Sequence, residues 1–437
     1  MKKNKFIKSV LILTIGSLLT KVISMFIKIL LARTLKTEGT GLYMLITPTF
    51  TLLMAIANLG FPVAISKLVA EEKRNNKNLV FSLIPIILIL NIAIIIILLI
   101  TSRYISNNLL HEERCYYALI SIGFVLPFIS ISSILRGYFF GKEKMIPHTL
   151  SNITEDFLRL ILLAIFLPKY MEKGLEYAVA FVVQVNIISE LSAIIILLFF
   201  IPKNFKLEKK DIIINKKNIK DTFNIAIPTT GSRLIGTLGF FLEPIILTYA
   251  LTKVGYSNKY IINEYGIISG YIIPLVLLPS FFTLAISEAL IPNISKAYSK
   301  NNLKYVSNKI KTSIFLSLLI GIPATIIFEL YPQIPMKIIY NTDKGINYIK
   351  IIAPIALFHY IQSPLTAALQ AMGKAKEGML GTLGGTIIRL ISLLLFSLAH
   401  IGMWGLIIAI SLNILYVTIH QGIEIKKELK KDYKAYF

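Results

Sequence analysis

The 437-residue sequence has one cysteine, Cys115, one tryptophan and five histidines. A single thiol cannot form an intramolecular disulfide, and no Cys/His cluster has the spacing of a zinc or haem site. No phosphate-binding glycine loop of the ATPase type is present, so nothing in the sequence points to ATP hydrolysis. Acids are scarce too, 23 against 46 Lys and Arg, and charged residues of both signs make up 16% of the chain. Paired carboxylates in a globular catalytic setting are missing. So are the long, acid-bearing loops expected of an integral-membrane glycosyltransferase or ligase. No cofactor is implied, and these absences argue against an enzyme.

What is present is apolar. Hydrophobic residues make up 55% of the sequence and the mean hydropathy is +0.71, beyond the roughly 45–50% apolar content of an ordinary soluble domain. Windows of about 20 apolar residues, long enough for a hydrocarbon core of about 30 Å, recur from end to end. They predict helices near 8–32, 42–66, 79–101, 115–140, 149–167 and 177–201, then 222–251, 264–292, 311–331, 348–371, 378–399 and 403–423. The opening MKKNKF and its apolar sequel resemble a signal peptide, yet Lys21 and Lys28 interrupt the run and no small-residue cleavage site follows. The segment reads as a retained first helix.

The net charge of +23 would raise the question of nucleic acid in a soluble protein; here the positions of the cations answer it. With the N-terminus in the cytoplasm, 29 Lys and Arg fall in inside segments and 11 in outside loops. That asymmetry obeys the positive-inside rule, places both termini in the cytoplasm of a multi-pass plasma-membrane protein, and removes the need for nucleic acid. The remaining six, Lys21, Lys28, Arg136, Arg159, Arg233 and Arg389, lie within predicted helices.

The longest polar stretch, residues 202–221, divides the chain near its middle, and the two sides repeat one another. Gly16-Ser17 matches Gly231-Ser232, and Ala64-Ile65-Ser66 matches Ala285-Ile286-Ser287. Gly141-Lys142 with Arg159-Leu160 matches Gly373-Lys374 with Arg389-Leu390. An ordered repeat with an even helix count per half predicts an all-α polytopic membrane protein of about 12 transmembrane helices, in two pseudo-twofold-related six-helix lobes around a central cavity. Residues 1–201 form the first lobe, 202–221 a basic cytoplasmic linker, 222–423 the second lobe and 424–437 a basic cytoplasmic tail.

Ionisable groups at bilayer depth cost at least about 2.5–3.5 kcal/mol on insertion scales and usually face the bundle interior. Thr14, Ser17, Lys21, Ser24 and Lys28 step by three and four, so they share one face of the first helix. Shifted by the repeat offset, this stripe becomes Ser232, Gly236, Gly239 and Glu243, which sets Lys28 opposite Glu243. For Glu243 two readings stay open: a buried ion pair that fixes packing, or a proton or cation site that gates the lobes. Arg159 has Glu155 and Asp156 within a turn, which a local ion pair explains. Arg389 and Arg233 have no acid within a turn and rank higher as anion contacts, since a guanidinium fork suits phosphate. Arg136 and Glu288, near cytoplasmic helix ends, read as structural or gate-forming. Glu190 has no evident partner, and the histidines are scattered.

Several stretches resemble the multidrug/oligosaccharidyl-lipid/polysaccharide exporter superfamily, within it the stage V sporulation protein B and lipid II flippase branch. They are LRGYFFGKEKMIPHTLSNITEDFLRL from Leu135, GFPVAISKLVAEE from Gly60, IAIPTTGSRL from Ile225, the segment from Tyr265 to Ser295, and MGKAKEGM from Met372. The resemblance implies alternating access by two lobes and, as cargo, an undecaprenyl-pyrophosphate-linked saccharide, with peptidoglycan precursor foremost. It carries basic first-helix positions over to Lys21 and Lys28. Ser17, Ser24 and Arg159 complete the expected substrate face, and Glu243, Glu155, Arg136 and Glu288 the coupling and gating set. Cell-wall synthases are candidate partners, and the oligomeric state stays open, a monomer being compatible with the pattern. The sequence departs from the branch at Phe140, Asn152 and Asp156, where polar motif residues are replaced, and shows twelve helices where relatives commonly have fourteen. The rival readings are a drug or cation antiporter of the same fold and a membrane scaffold acting through its basic loops.

Overall fold

The computed structural model describes residues 2–71, 76–201 and 216–430. The side chains of residues 2–11 and of Thr14, Ser232, Arg233 and Glu288 lie outside the described residues, as do most of the 202–221 linker and the end of the basic tail. The described residues are helical, and the chain separates into two compact units, Met1–Phe241 and Leu242–Phe437.

The first unit opens with α1 (Lys2–Asn58), 57 residues, which at 1.5 Å per residue is about 85 Å and far more than one crossing requires. Non-helical backbone at Lys36 (φ 56°, ψ −168°) breaks it into two helices. A turn at Leu59 and Gly60, both with positive φ, leads into α2 (Phe61–Ala70). Pro62 sits in the first turn of α2, where a missing N–H removes no helical bond. Gly60 takes φ 65° and approaches the Ala226 carbonyl so closely that a Cβ would lie 2.7 Å from it. The predicted helix over 42–66 is therefore interrupted, because the chain must turn where no bulkier residue fits.

Five further helices follow: α3 (Asn76–Phe81), α4 (Leu83–Tyr104), α5 (Tyr116–Gly141), α6 (Met145–Lys173) and α7 (Leu175–Phe199). A π-helical turn, Ile105–Leu109, extends α4. Gly137 and Gly141, one turn apart on α5, let it press on α2; a Cβ there would meet the Pro62 carbonyl oxygen at 2.6 Å and the Ser66 carbonyl oxygen at 2.5 Å. Small residues spaced by four are how membrane helices approach closely, since lipid offers no hydrophobic drive between them. Phe61, Ile65, Leu83, Ile134 and Phe139 form the core at this contact, and Ala226 and Phe223 from the next helix join it.

That next helix, α8 (Lys216–Lys253), crosses the boundary between the units. The second unit continues with α9 (Asn258–Tyr265), a π-helical stretch Gly266–Ile272, α10 (Ile273–Val276), α11 (Ser280–Tyr298), α12 (Leu303–Leu330), α13 (Gln333–Tyr340), α14 (Ile346–Ala371), α15 (Ala375–Leu398) and α16 (Trp404–Leu429). The helix predicted over 264–292 is thus a broken one, bent by 50° between Asn258–Val276 and Ser280–Ser287. Tyr360 on α14 spans the break, its hydroxyl donating to the Val276 carbonyl at 2.5 Å. Gly381 and Gly385 on α15 lie against His420 and Val417 of α16, with no room for a Cβ. Tyr298, Lys374 and Glu428 clamp the ends of three elements: the Tyr298 hydroxyl donates to Glu428 at 2.5 Å and Lys374 pairs with it at 3.6 Å. The hydrogen bond to that carboxylate pushes the Tyr298 phenol up to about 12.

Among the described residues eight helices are long and apolar enough to cross a membrane, and ten if each of two bent pairs is one span. Two more crossings follow from the chain itself. The break at Lys36 divides α1 into two spans, and α6 has the length of a span while carrying Glu155, Asp156 and Arg159 near its centre. About twelve helices result, as the hydropathy pattern predicts.

Candidate functional site

The charges of the first unit converge. Arg136 on α5 and Arg159 on α6 share Glu155, Arg136 through Nη2 to Oε2 at 2.5 Å and Arg159 through Nη2 to Oε1. Arg159 Nη1 also reaches Asp156 at 3.2 Å, and Arg136 reaches Glu190 of α7 at 3.5 Å. Hydroxyls complete the set: Ser132 donates to Glu190 at 2.5 Å, and Ser24 of α1 donates to Asp156 at 3.4 Å. The whole group is buried or nearly so; Glu190 is 4% exposed and Glu155 8%. Isolated charges at this depth would each be strongly unfavourable, and mutual pairing plus hydrogen bonds to the remaining oxygens is what makes them tolerable. The cluster joins two guanidinium groups to three carboxylates, one negative charge beyond what its arginines neutralise.

Arg136, read from the sequence as structural or gate-forming, is the hub that ties α5 to α6 and α7. Glu190, for which the sequence offered no partner, has two. The signal was present: Ser132 and Arg136 stand one turn apart on one face of α5, but only the packing of α7 brings Glu190 to that face. Arg159 does pair with the two acids one turn before it, as the local reading held.

In the second unit Arg389 Nη2 closes on Glu243 Oε2. Glu243 is 2% exposed, and the buried Tyr265 hydroxyl is hydrogen-bonded to the same carboxylate. Arg389, expected as an anion contact because no acid lies within a turn, finds one on a different helix. Glu243, set opposite Lys28 by the repeat, is instead committed within its own unit. The helix-stripe reasoning placed Glu243 on the correct inner face but could not find Arg389, which is remote in sequence.

Along α1 the polar stripe is less uniformly engaged. Ser17 is exposed, its carbonyl accepting from Thr20 at 3.0 Å. Ser24 faces Asp156, and Lys21 is half-buried and has a partner. Lys28 is exposed and makes no ion pair among the described residues. The side chains of Arg233 and Glu288 lie outside the described residues.

About twelve helices in two compact units, with charge clusters buried inside them, make up a polytopic membrane protein. The polysaccharide biosynthesis protein family model matches residues 6–298 and the MatE model residues 269–395. The chain belongs to the polysaccharide biosynthesis protein family, within the multidrug/oligosaccharidyl-lipid/polysaccharide exporter superfamily. It is 33% identical to stage V sporulation protein B of Bacillus subtilis, over 98% of this chain and 85% of that protein. Lipid II flippase MurJ of the same organism is 22% identical over 99% of this chain and 84% of the relative. Among solved structures, the inward-facing conformation of a multidrug resistance MATE family transporter superposes with a TM-score of 0.79 at 15% identity, covering 98% of this chain and 99% of the other. That likeness shows the fold.

Proposed function

We propose that this chain is an alternating-access flippase of an undecaprenyl-pyrophosphate-linked saccharide, with peptidoglycan precursor lipid II the first candidate, serving cell-wall or spore-cortex synthesis. It works in the plasma membrane with both termini in the cytoplasm. The observation that carries this reading is Lys28: Arg136, Arg159 and Arg389 are neutralised by acids of their own units, whereas Lys28 is exposed on α1 with no counter-ion among the described residues. A diphosphate crossing a low-dielectric core needs compensating positive charge, and an ammonium on the stripe that also holds Ser17, Lys21 and Ser24 supplies it. Arg233, on α8, is the second anion contact. The family and the similarity to a protein named as a lipid II flippase support the same cargo class.

Coupling falls to the buried clusters. The surplus carboxylate around Arg136 and Glu155 offers a place for a proton or a small cation, and the Glu243–Arg389 pair is an element that a change of protonation would release. Glu288 completes the gating set. The test is flipping of fluorescent lipid II in proteoliposomes, beside uptake of a lipophilic cation. Saturable lipid II flipping that Lys28→Ala diminishes supports the reading; cation movement without lipid flipping makes the chain an antiporter.

A further inference from the structure

The end of the first unit away from its Lys-rich loops carries a cavity of about 220 Å³, lined by Arg103, Asn107, Glu113, Tyr116, Tyr117 and Glu176 among others. None of these residues belongs to the charge cluster or to the α1 stripe. The π-helical turn at the end of α4 builds one wall: the wider winding brings Ser106 and Asn107 to the cavity, with the Ser106 hydroxyl tied to the Arg103 carbonyl at 3.1 Å. Such turns occur often at functional sites. The opposite wall is rigid, because Arg114 is locked to Glu112 at 2.6 Å and to Glu38 of α1 at 2.8 Å.

The lining is mixed in a way that selects its ligand. Arg103 lies over the Tyr116 ring at 5.3 Å and makes no ion pair among the described residues, and Glu113 and Glu176 likewise make none. Tyr117 stacks on Tyr177 with centroids 5.1 Å apart, leaving an exposed aromatic platform at the mouth. Two open carboxylates oppose a simple anion, and a guanidinium opposes a metal cation. A neutral polyhydroxyl ring satisfies both, because each hydroxyl donates and accepts while the ring's C–H face covers an aromatic surface. An interfacial aromatic belt would set single rings towards lipid; here the rings border a polar hollow.

We infer that this cavity, at the outer end of the first unit, is a saccharide subsite that receives the sugar portion of the cargo as it emerges. The inference rests on the flippase reading for its physiological ligand, though not for the binding itself. The test is saturation-transfer NMR on the full chain in nanodiscs with N,N′-diacetylchitobiose as the probe, and the flipping assay run on the same preparations. Wild type is expected to transfer saturation to the sugar ring protons, and Tyr117→Ala and the isosteric Glu176→Gln each to lower the signal at least five-fold, with unchanged thermal melting for Glu176→Gln. Absence of transfer in wild type, or transfer in both variants equal to that of wild type, overturns the subsite. Flipping without disaccharide binding removes the subsite and leaves the flippase; disaccharide binding without flipping does the reverse.

Discussion

Arg389 and Glu243 hold one another across two helices that the sequence separates widely, a guanidinium and a carboxylate inside one unit with Tyr265 as third member. The pair removes Arg389 from the set of free cations that the sequence alone would assign to an anionic cargo. It also supplies a test that separates packing from coupling. Glu243→Gln strands a guanidinium at bilayer depth, and removing one partner of a buried pair costs about 3–5 kcal/mol. A lowered melting temperature in detergent is expected for the single variant and recovery for Glu243→Leu/Arg389→Met. If that double variant melts like wild type yet no longer responds to an imposed ion gradient, the pair couples; if it transports normally, the pair only packs.

For Lys28 the expectation is directional. Lys28→Arg keeps the charge and the flipping rate, whereas Lys28→Ala loses one charge-assisted contact worth about 1.5–3 kcal/mol. Initial rates of lipid II flipping should fall by about ten-fold or more at subsaturating substrate, with Lys28→Glu lower still. Equal rates for the alanine and wild-type proteins would remove Lys28 from the cargo path.

Arg136 and Arg159 differ although both touch Glu155. Arg136 also serves Glu190, so Arg136→Leu leaves carboxylates on two helices with diminished compensation; the loss in stability should approach about 3 kcal/mol and exceed that of Arg159→Leu. Adding Glu190→Leu to Arg136→Leu should recover part of it. Thermal melting of the four proteins checks the ranking.

Gly137 and Gly231 offer a contrast within ordinary helix chemistry. Gly137→Ala places a methyl 2.6 Å from the Pro62 carbonyl oxygen, so α2 and α5 must part, at about 1–3 kcal/mol. A Cβ at Gly231 meets nothing within 4 Å, and Gly231→Ala should keep stability or raise it by up to about 1 kcal/mol. Melting temperatures that do not separate the two would contradict the close α2–α5 contact.

The topology is testable because Cys115 is fully buried and can be replaced by serine. In that background Lys300→Cys should react with a membrane-impermeant maleimide only from the cytoplasmic side, and Glu172→Cys only from outside. Labelling from the same side would refute the even-span arrangement.

What the sequence determined by itself was everything that depends on local composition. Apolar run length set the spans, the distribution of Lys and Arg set the expected orientation, and helical spacing put Ser24 and Lys28 on one face of the first helix and Glu243 on the matching face of the repeat. The pairing of Arg159 with Glu155 and Asp156 was legible for the same reason, since residues three and four apart meet on any helix. The tertiary structure decided what depends on which helices touch. It gave Glu190 to Ser132 and Arg136, and Glu243 to Arg389, and it left Lys28 without a counter-ion among the described residues. The break at Lys36 falls in the gap between the first two hydropathy windows, but the structure also broke helices where no window sees a reason, at Leu59-Gly60 and between Val276 and Ser280. Hydropathy records the cost of meeting lipid, which each residue carries alone. Pairing of buried charges is a property of two helices at once, so it becomes visible only when they pack.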